Sequence, residues 1–166
     1  MAKLHEFRQV FHRYVLVPVF QETTEDLRRQ VVEFWMREGA LRDRAEAERR
    51  AHELVYVITD EHEDIVGVCT TQLATSVRLR RSVYFLRLYV RPSDRASGLP
   101  QEVIRCAWHL LKDRTPPGGP DGARIVGENT KLARPGMMRV FSRRGWRYLG
   151  LNAHQLPVWE KPFSKS

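Results

Sequence analysis

The stretch from Ser82 to Asn129 constrains the fold more than any other part of the chain. It runs from a β-rich segment, "SVYFLRLYV", through a loop ending at Pro100 and an amphipathic segment, then across the plain loop "RTPPGGPDG" into a second β-rich segment, "ARIVGEN". Between the loops, Val103, Ile104, Ala107, Trp108 and Leu111 recur at helical spacing, so the order is strand, crossover helix, strand. A crossover of this kind sets its two strands parallel in one sheet and packs the helix on the sheet face.

The flanking segments supply the rest of a layered α/β protein. A strand is expected over Tyr14–Phe20, and Thr23 or Thr24 caps a helix whose Leu27, Val31, Phe34 and Trp35 share a face, with Gly39 as stop. A second helix over Arg42–Leu54, nearly all Arg, Ala and Glu with opposite charges at i,i+3 and i,i+4, reads as solvent-exposed. "LVYVITD", the turn "EHED" and "IVGVCTTQL" predict a β-hairpin. "PGMMRVFSRRG" predicts a helix from Pro135 to Gly145, and "WRYLG" with "HQLPVWEKPF" the last strands. There is no internal repeat and no linker, so residues 1–166 are expected to form a single domain.

Composition narrows the chemistry less. The apolar run "YVLVPVF" is too short to span a membrane, and no cleavage site follows it, so a cytoplasmic protein with no membrane partner is expected. Cys69 and Cys106 form no C-x-x-C pair and the six histidines no H-x-x-x-H pair, which argues against a disulfide framework or a bound metal. The net charge of +8 favours an anionic partner: a nucleic acid, an acidic protein, a phosphorylated cofactor or a membrane surface.

The loop "VRPSDRASGLP" allows two readings. Leaving a strand and feeding a helix N-terminus, it gathers unpaired amides at the positive end of a dipole. Gly98 permits close backbone approach, and Arg91, Arg95 and Ser97 add charge and a hydroxyl, which together would cradle a phosphate. It also reads as an ordinary strand-to-helix turn with a capping serine and Pro100 as the first helical residue.

The same stretch resembles the acyl-CoA-binding segment of the GNAT superfamily of N-acetyltransferases, V-x-P-x-x-[QR]-x-x-G-x-[GA], with Val90, Pro92, Arg95 and Gly98 in the matching places. "DIVGVCTT" is similar to that family's third-strand segment and "FSRRGWRYLG" to its aromatic-x-x-x-G-[FW] helix end. The resemblance implies a mixed, mostly antiparallel central sheet with a parallel, splayed central strand pair and flanking helices. It implies acetyl-CoA as co-substrate and a primary amine as acceptor, on a small molecule, a peptide or a protein. By position, the pantetheine arm meets the backbone of Leu88 and Val90, and the pyrophosphate meets Arg95, Ala96, Ser97, Gly98, Leu99, Pro100 and Gln101. Asn129 matches an asparagine near the cofactor arm. The acceptor site is expected between the first two helices and the connection "ATSVRLRR".

The chain departs from the family pattern in two places. Pro100 stands where the family has Gly or Ala, and it brings no N–H to the phosphate. Phe141 occupies the cofactor-side position where many members carry a tyrosine that protonates the leaving thiolate, and "LARPG" reads as an insertion before it. Acyl transfer to an amine needs positioning, an oxyanion donor, a base and an acid. The amide of Leu88 or Val90 is the candidate donor and Glu128 the candidate base. Tyr89 and Tyr148 are candidate acids, with strand tyrosines packing their rings as the alternative. Competing functions are a catalytically inactive GNAT-like scaffold and a nucleic-acid module using "SVRLRRS" and "RVFSRRGWR". Assembly is left open, a dimer included.

Overall fold

Eight strands and four helices form a mixed sheet with flanking helices in a computed structural model that describes residues 3–95, 98–127 and 135–164. In chain order these are β1 (Gln9–Phe11), β2 (Tyr14–Pro18), α1 (Glu25–Glu38), α2 (Arg44–Arg50), β3 (Leu54–Thr59), β4 (Ile65–Ser76), β5 (Arg81–Val90), α3 (Leu99–Arg114), β6 (Gly122–Val126), α4 (Pro135–Arg143), β7 (Arg147–Leu151) and β8 (Pro157–Pro162). The strands are ordered β1-β2-β3-β4-β5-β6-β8-β7, and β5 and β6 pair in parallel, as the crossover requires. Two compact units share them: Met1–Thr71 with Leu88–Arg114, and Gln72–Arg87 with Thr115–Ser166. The strands β4 and β5 pass through both.

The first unit is built around α1. Thr24 caps it, its Oγ1 accepting from the Leu27 N–H at 3.1 Å, and Gly39 ends it at φ 67, a backbone angle that favours glycine. Its buried face, Val31, Val32, Phe34 and Trp35, packs with Leu54, Val57 and Val68 of the sheet. The second helix is shorter than expected. Helical geometry ends at Arg50, a tight turn covers Ala51–Glu53, and Leu54 already belongs to β3. Nor is it wholly exposed, since Ala47 and Ala51 join the core while Arg49 and Arg50 pair with Glu46 on the outer side. The sheet also begins earlier than read, with the hairpin Gln9–Phe11 against Tyr14–Pro18. Three residues give no readable alternation, and His12 turns the corner at φ 54.

The second unit pairs β6 with β8 and β8 with β7, all antiparallel. Its core is aromatic. Trp159 is fully buried, Phe141 stacks on it with ring centroids 5.3 Å apart, and Trp146 meets Phe141 edge-on at 6.1 Å. The last strand starts at Pro157 rather than His154, because the Asn152 carboxamide oxygen accepts from the His154 and Leu156 N–H groups and closes a turn there. Both cysteines are buried and free, and burial pushes the Cys69 thiol up to about 12. Among the described residues no helix is long and apolar enough to cross a membrane, and no cluster of His, Cys, Asp and Glu could hold a metal.

Where β4 lies against β5, glycine is required. A Cβ on Gly67 would stand 3.3 Å from the Tyr89 carbonyl oxygen, the Ile58 Cδ1 and a Val90 methyl. Gly67→Ala is expected to destabilise the protein by about 1 to 3 kcal/mol through overpacking, read as a lowered urea midpoint at unchanged m value.

Candidate functional site

The last residues of β5 and the turn that follows carry most of the expected site. The ladder between β5 and β6 runs from Tyr84 opposite Ala123 to Leu86 opposite Ile125, so Leu88, Tyr89 and Val90 lie beyond its last pair. On the other edge the Arg91 N–H donates to the Val66 carbonyl at 2.8 Å, which holds the end of β5 to β4. A tight turn over Pro92–Asp94 then redirects the chain toward α3.

The turn is pinned from below by Asp94, whose side chain has no exposure. Its carboxylate accepts from the Tyr14 hydroxyl at 2.6 Å, the Arg13 guanidinium at 2.8 Å, the Arg91 Nε–H at 2.6 Å and the Ser93 hydroxyl at 3.3 Å. Burial alone would raise the Asp94 pKa, but the hydrogen bonds from Tyr14 and Arg91 outweigh it and hold the carboxyl below its ordinary range. Burial and the same Asp94 bond push the Tyr14 phenol up. Arg91 also lies 3.8 Å from Asp60, which closes the β3–β4 turn by accepting from the His62 and Asp64 N–H groups. The sequence reading missed Asp94, because its partners Arg13 and Tyr14 lie about eighty residues away and nothing local marks the pairing.

Arg95 stays exposed but is not loose. Its Nε–H donates to the Val90 carbonyl at 2.7 Å, and its guanidinium lies 5.3 Å from the centre of the Tyr89 ring. One Arg95 donor therefore folds the turn, and the Nη groups form no hydrogen bond to a described residue. Tyr89 packs its ring edge-on against Phe34 of α1, with centroids 6.0 Å apart. That is the packing role weighed for it alongside the acid.

The helix begins one residue earlier than expected. Gly98, at φ 77, precedes it directly and accepts from the Glu102 N–H at 3.1 Å, so Pro100 is the second helical residue, not the first. It remains in the first turn, where a missing N–H breaks no intrahelical bond. The Leu99 side chain is fully buried, which leaves its backbone as the part facing the helix mouth. Around Gly98 there is open space: a Cβ there would meet no described atom closer than the Gln101 Oε1, at 3.9 Å. That oxygen is itself buried and has no partner among the described residues. Rotating the amide would turn its NH2, a two-donor group, toward the same space.

These residues fit a phosphate. The first-turn amides of a helix of sixteen residues, a glycine without obstruction and the Gln101 carboxamide, whose buried Oε1 has no partner among the described residues, lie at one corner, and Arg95 stands three residues before that glycine. Ala96, Ser97, Glu128 and Asn129 lie outside the described residues. Phe141 belongs to the second unit, buried in its aromatic core. Tyr148, also there, is 38% exposed, with its ring 5.1 Å from that of Trp159.

Asp94→Asn is expected to cost about 1.5 to 3 kcal/mol by weakening charge-assisted bonds to a buried group. Because the folded carboxyl lies below its unfolded value, the stabilisation is present above about pH 4 and is lost as pH falls through the folded value. Urea titrations of both proteins at several pH values are expected to show a gap at pH 6 that narrows in acid; an equal gap at all pH values would reject this assignment.

Comparison with solved structures places the fold. The chain superposes on a ribosomal-protein-S5-alanine acetyltransferase from Vibrio fischeri with a TM-score of 0.66 at 10% identity, covering 95% of this chain and 97% of the other. A GNAT superfamily phosphinothricin acetyltransferase from Sinorhizobium meliloti, solved with AcCoA, gives 0.65 at 15% identity, covering 90% and 88%. A GNAT-family acetyltransferase from Streptococcus pneumoniae gives 0.60 at 11% identity, covering 91% and 99%. The chain therefore has the GNAT acetyltransferase fold. No family model matches the sequence, and no curated protein matches it.

Proposed function

We propose that this chain is an N-acetyltransferase, acting as a single domain, that transfers an acetyl group from acetyl-CoA to a primary amine. The observation that carries the proposal is the corner at the start of α3, where Gly98 at φ 77 leaves open space beside the Gln101 carboxamide, whose buried Oε1 has no partner among the described residues. A fold similar to acetyltransferases is shared by enzymes with many acceptors, so it is this local chemistry that selects the cofactor.

In this reading the first-turn amides of α3, the Gln101 side chain and the Arg95 Nη groups hold the pyrophosphate. The backbone of Leu88 and Val90, beyond the last β5–β6 pair, holds the pantetheine arm as an added strand would. The Val90 carbonyl already accepts from Arg95, so its N–H is the group left for that role. Bound acetyl-CoA supplies an activated acyl group. The amide of Leu88 or Val90 stabilises charge on the acyl oxygen, Glu128 takes a proton from the incoming ammonium, and the Tyr89 hydroxyl returns one to the leaving sulfur. Phe141, with no proton to give, stands aside from that last step.

Titration calorimetry is expected to show acetyl-CoA binding in the micromolar range, with a matching rise in thermal midpoint. Absence of heat at millimolar acetyl-CoA would leave the inactive scaffold as the better reading. Gly98→Val is expected to abolish binding, since a branched Cβ enters the phosphate space and a side chain resists positive φ.

The proline at position 100 divides folding from binding. It pre-forms the first turn of α3 and withholds one amide from the phosphate. Pro100→Ala restores a charge-assisted hydrogen bond of about 1.5 to 3 kcal/mol, and is expected to tighten acetyl-CoA binding roughly tenfold to a hundredfold. Thermal stability is expected to stay equal or fall slightly. Unchanged affinity would show that the amide at this position does not face the ligand.

A further inference from the structure

The two units divide the charge of the chain unequally. Gln72–Arg87 with Thr115–Ser166 holds 13 Lys and Arg against 3 Asp and Glu, a formal +10, while the other unit holds 15 against 17, a formal −2. Of the three acids in the basic unit, Asp121 is bound to Arg81 at 2.9 Å, and Glu160 to Arg81 at 3.0 Å and Arg124 at 3.2 Å. Glu128 lies outside the described residues. The side chains of Arg78, Arg80, Arg143 and Arg144 are exposed and form no hydrogen bond or ion pair with a described residue.

Strand register brings these arginines to one end of the unit's sheet. Gly122, where β6 starts, pairs with Pro162, where β8 ends, and Asp121 just before it donates its N–H to the Ser82 carbonyl at 3.0 Å, at the start of β5. Arg147, where β7 starts, pairs with Glu160 near the end of β8. The β4–β5 turn Val77–Arg80 and the last turn of α4 with Gly145 therefore open on the same side, across about 15 Å of sheet at the usual strand spacing. The two arginine-rich stretches noted in the sequence, "SVRLRRS" and "RVFSRRGWR", both lie at that end.

Apolar exposure is concentrated in the same unit. Among the described residues, every exposed large apolar side chain except Val10 belongs to it, and at the tip of the β4–β5 turn Val77 is 88% exposed and Leu79 63%. The tip alternates Val77, Arg78, Leu79, Arg80. A nucleic acid would reward the arginines but gains nothing from bare aliphatic tips, and the aromatic rings within the two arginine-rich stretches, Phe141 and Trp146, are buried. An anionic bilayer rewards both, with lipid phosphates for the guanidinium groups and the interfacial layer for the aliphatic groups.

We propose that this end of the basic unit docks on an anionic phospholipid membrane, with Val77 and Leu79 entering the interface and Arg78, Arg80, Arg143 and Arg144 pairing lipid phosphates. Contact is peripheral, with no segment crossing the bilayer, whereas the sequence reading expects no membrane partner.

Vesicle flotation with the whole chain tests it. Vesicles of phosphatidylcholine with phosphatidylglycerol are expected to carry the protein, and vesicles of phosphatidylcholine alone are not. Arg78→Gln with Arg80→Gln is expected to weaken partitioning about fivefold per arginine. Val77→Ser with Leu79→Ser, which leaves every charge in place, is expected to weaken it roughly tenfold. All four positions lie on an exposed turn, and circular dichroism checks that both variants fold. No flotation with anionic vesicles, or flotation untouched by the serine pair, would overturn the proposal. So would displacement from the vesicles by an equimolar RNA oligonucleotide, which would assign the surface to nucleic acid.

Discussion

The Asp94 carboxylate is the contact on which the candidate site depends. A charge closed off from water is tolerated only when hydrogen bonds replace its hydration, and here Tyr14, Arg13, Arg91 and Ser93 do so. Tyr14 and Arg13 come from the first hairpin and Arg91 from the end of β5, so satisfying one carboxylate sets the place of the whole turn. Without it, the redirection from β5 into α3 would rest on the backbone bonds Arg91 to Val66, Asp94 to Arg91 and Arg95 to Pro92, and on the Arg95 side-chain bond to the Val90 carbonyl. The position of Gly98 relative to β5 follows from that tie.

Around this anchor each basic residue is used in a different way, which a motif cannot show. Arg91 is spent on Asp94 and Asp60, so it orders the turn more than it attracts a ligand. Arg95 gives one donor to Val90 and keeps the rest. Gln101, in the sequence only the last residue of the expected phosphate loop, has a buried Oε1 with no partner among the described residues. Such an oxygen carries a desolvation cost of about 1 to 3 kcal/mol until a donor reaches it or the amide turns and offers its NH2 to an acceptor. That cost is the physical reason to look for a ligand at this corner.

Much of the fold was legible in the sequence because the signals were local. The crossover from β5 through α3 to β6, the Thr24 cap and the Gly39 stop each follow from spacing or from one residue's backbone preference. Where the reading slipped, a longer-range term decided. Leu54 sits in a run that reads as helix, but it is drawn into β3 by the core it shares with Val31 and Phe34. The β1–β2 hairpin is three residues on one side, too short for periodicity, and is held by pairing with β2. Of the candidate site, the glycine that leads into α3 was legible from the motif. The Asp94 network was not, since an aspartate in a turn looks the same whether it faces water or is buried under Tyr14.

Charge shows the same limit on a larger scale. A net +8 spread along the chain suggests only a basic protein, and the two stretches of the second unit are separated by α3 in sequence. Folding sorts them. On α2 of the first unit, Arg49 and Arg50 meet Glu46 one helical turn away, so their fields cancel locally. In the second unit the described acids, Asp121 and Glu160, are held by Arg81 and Arg124, so Arg78, Arg80, Arg143 and Arg144 have no counter-charge among the described residues and their field extends into solvent. Like charges gathered at one end of a sheet repel one another and weaken the fold that gathers them. Aliphatic side chains left in water beside them add a second cost. A surface that carries both is most stable against a partner that offers negative charge and an apolar layer together.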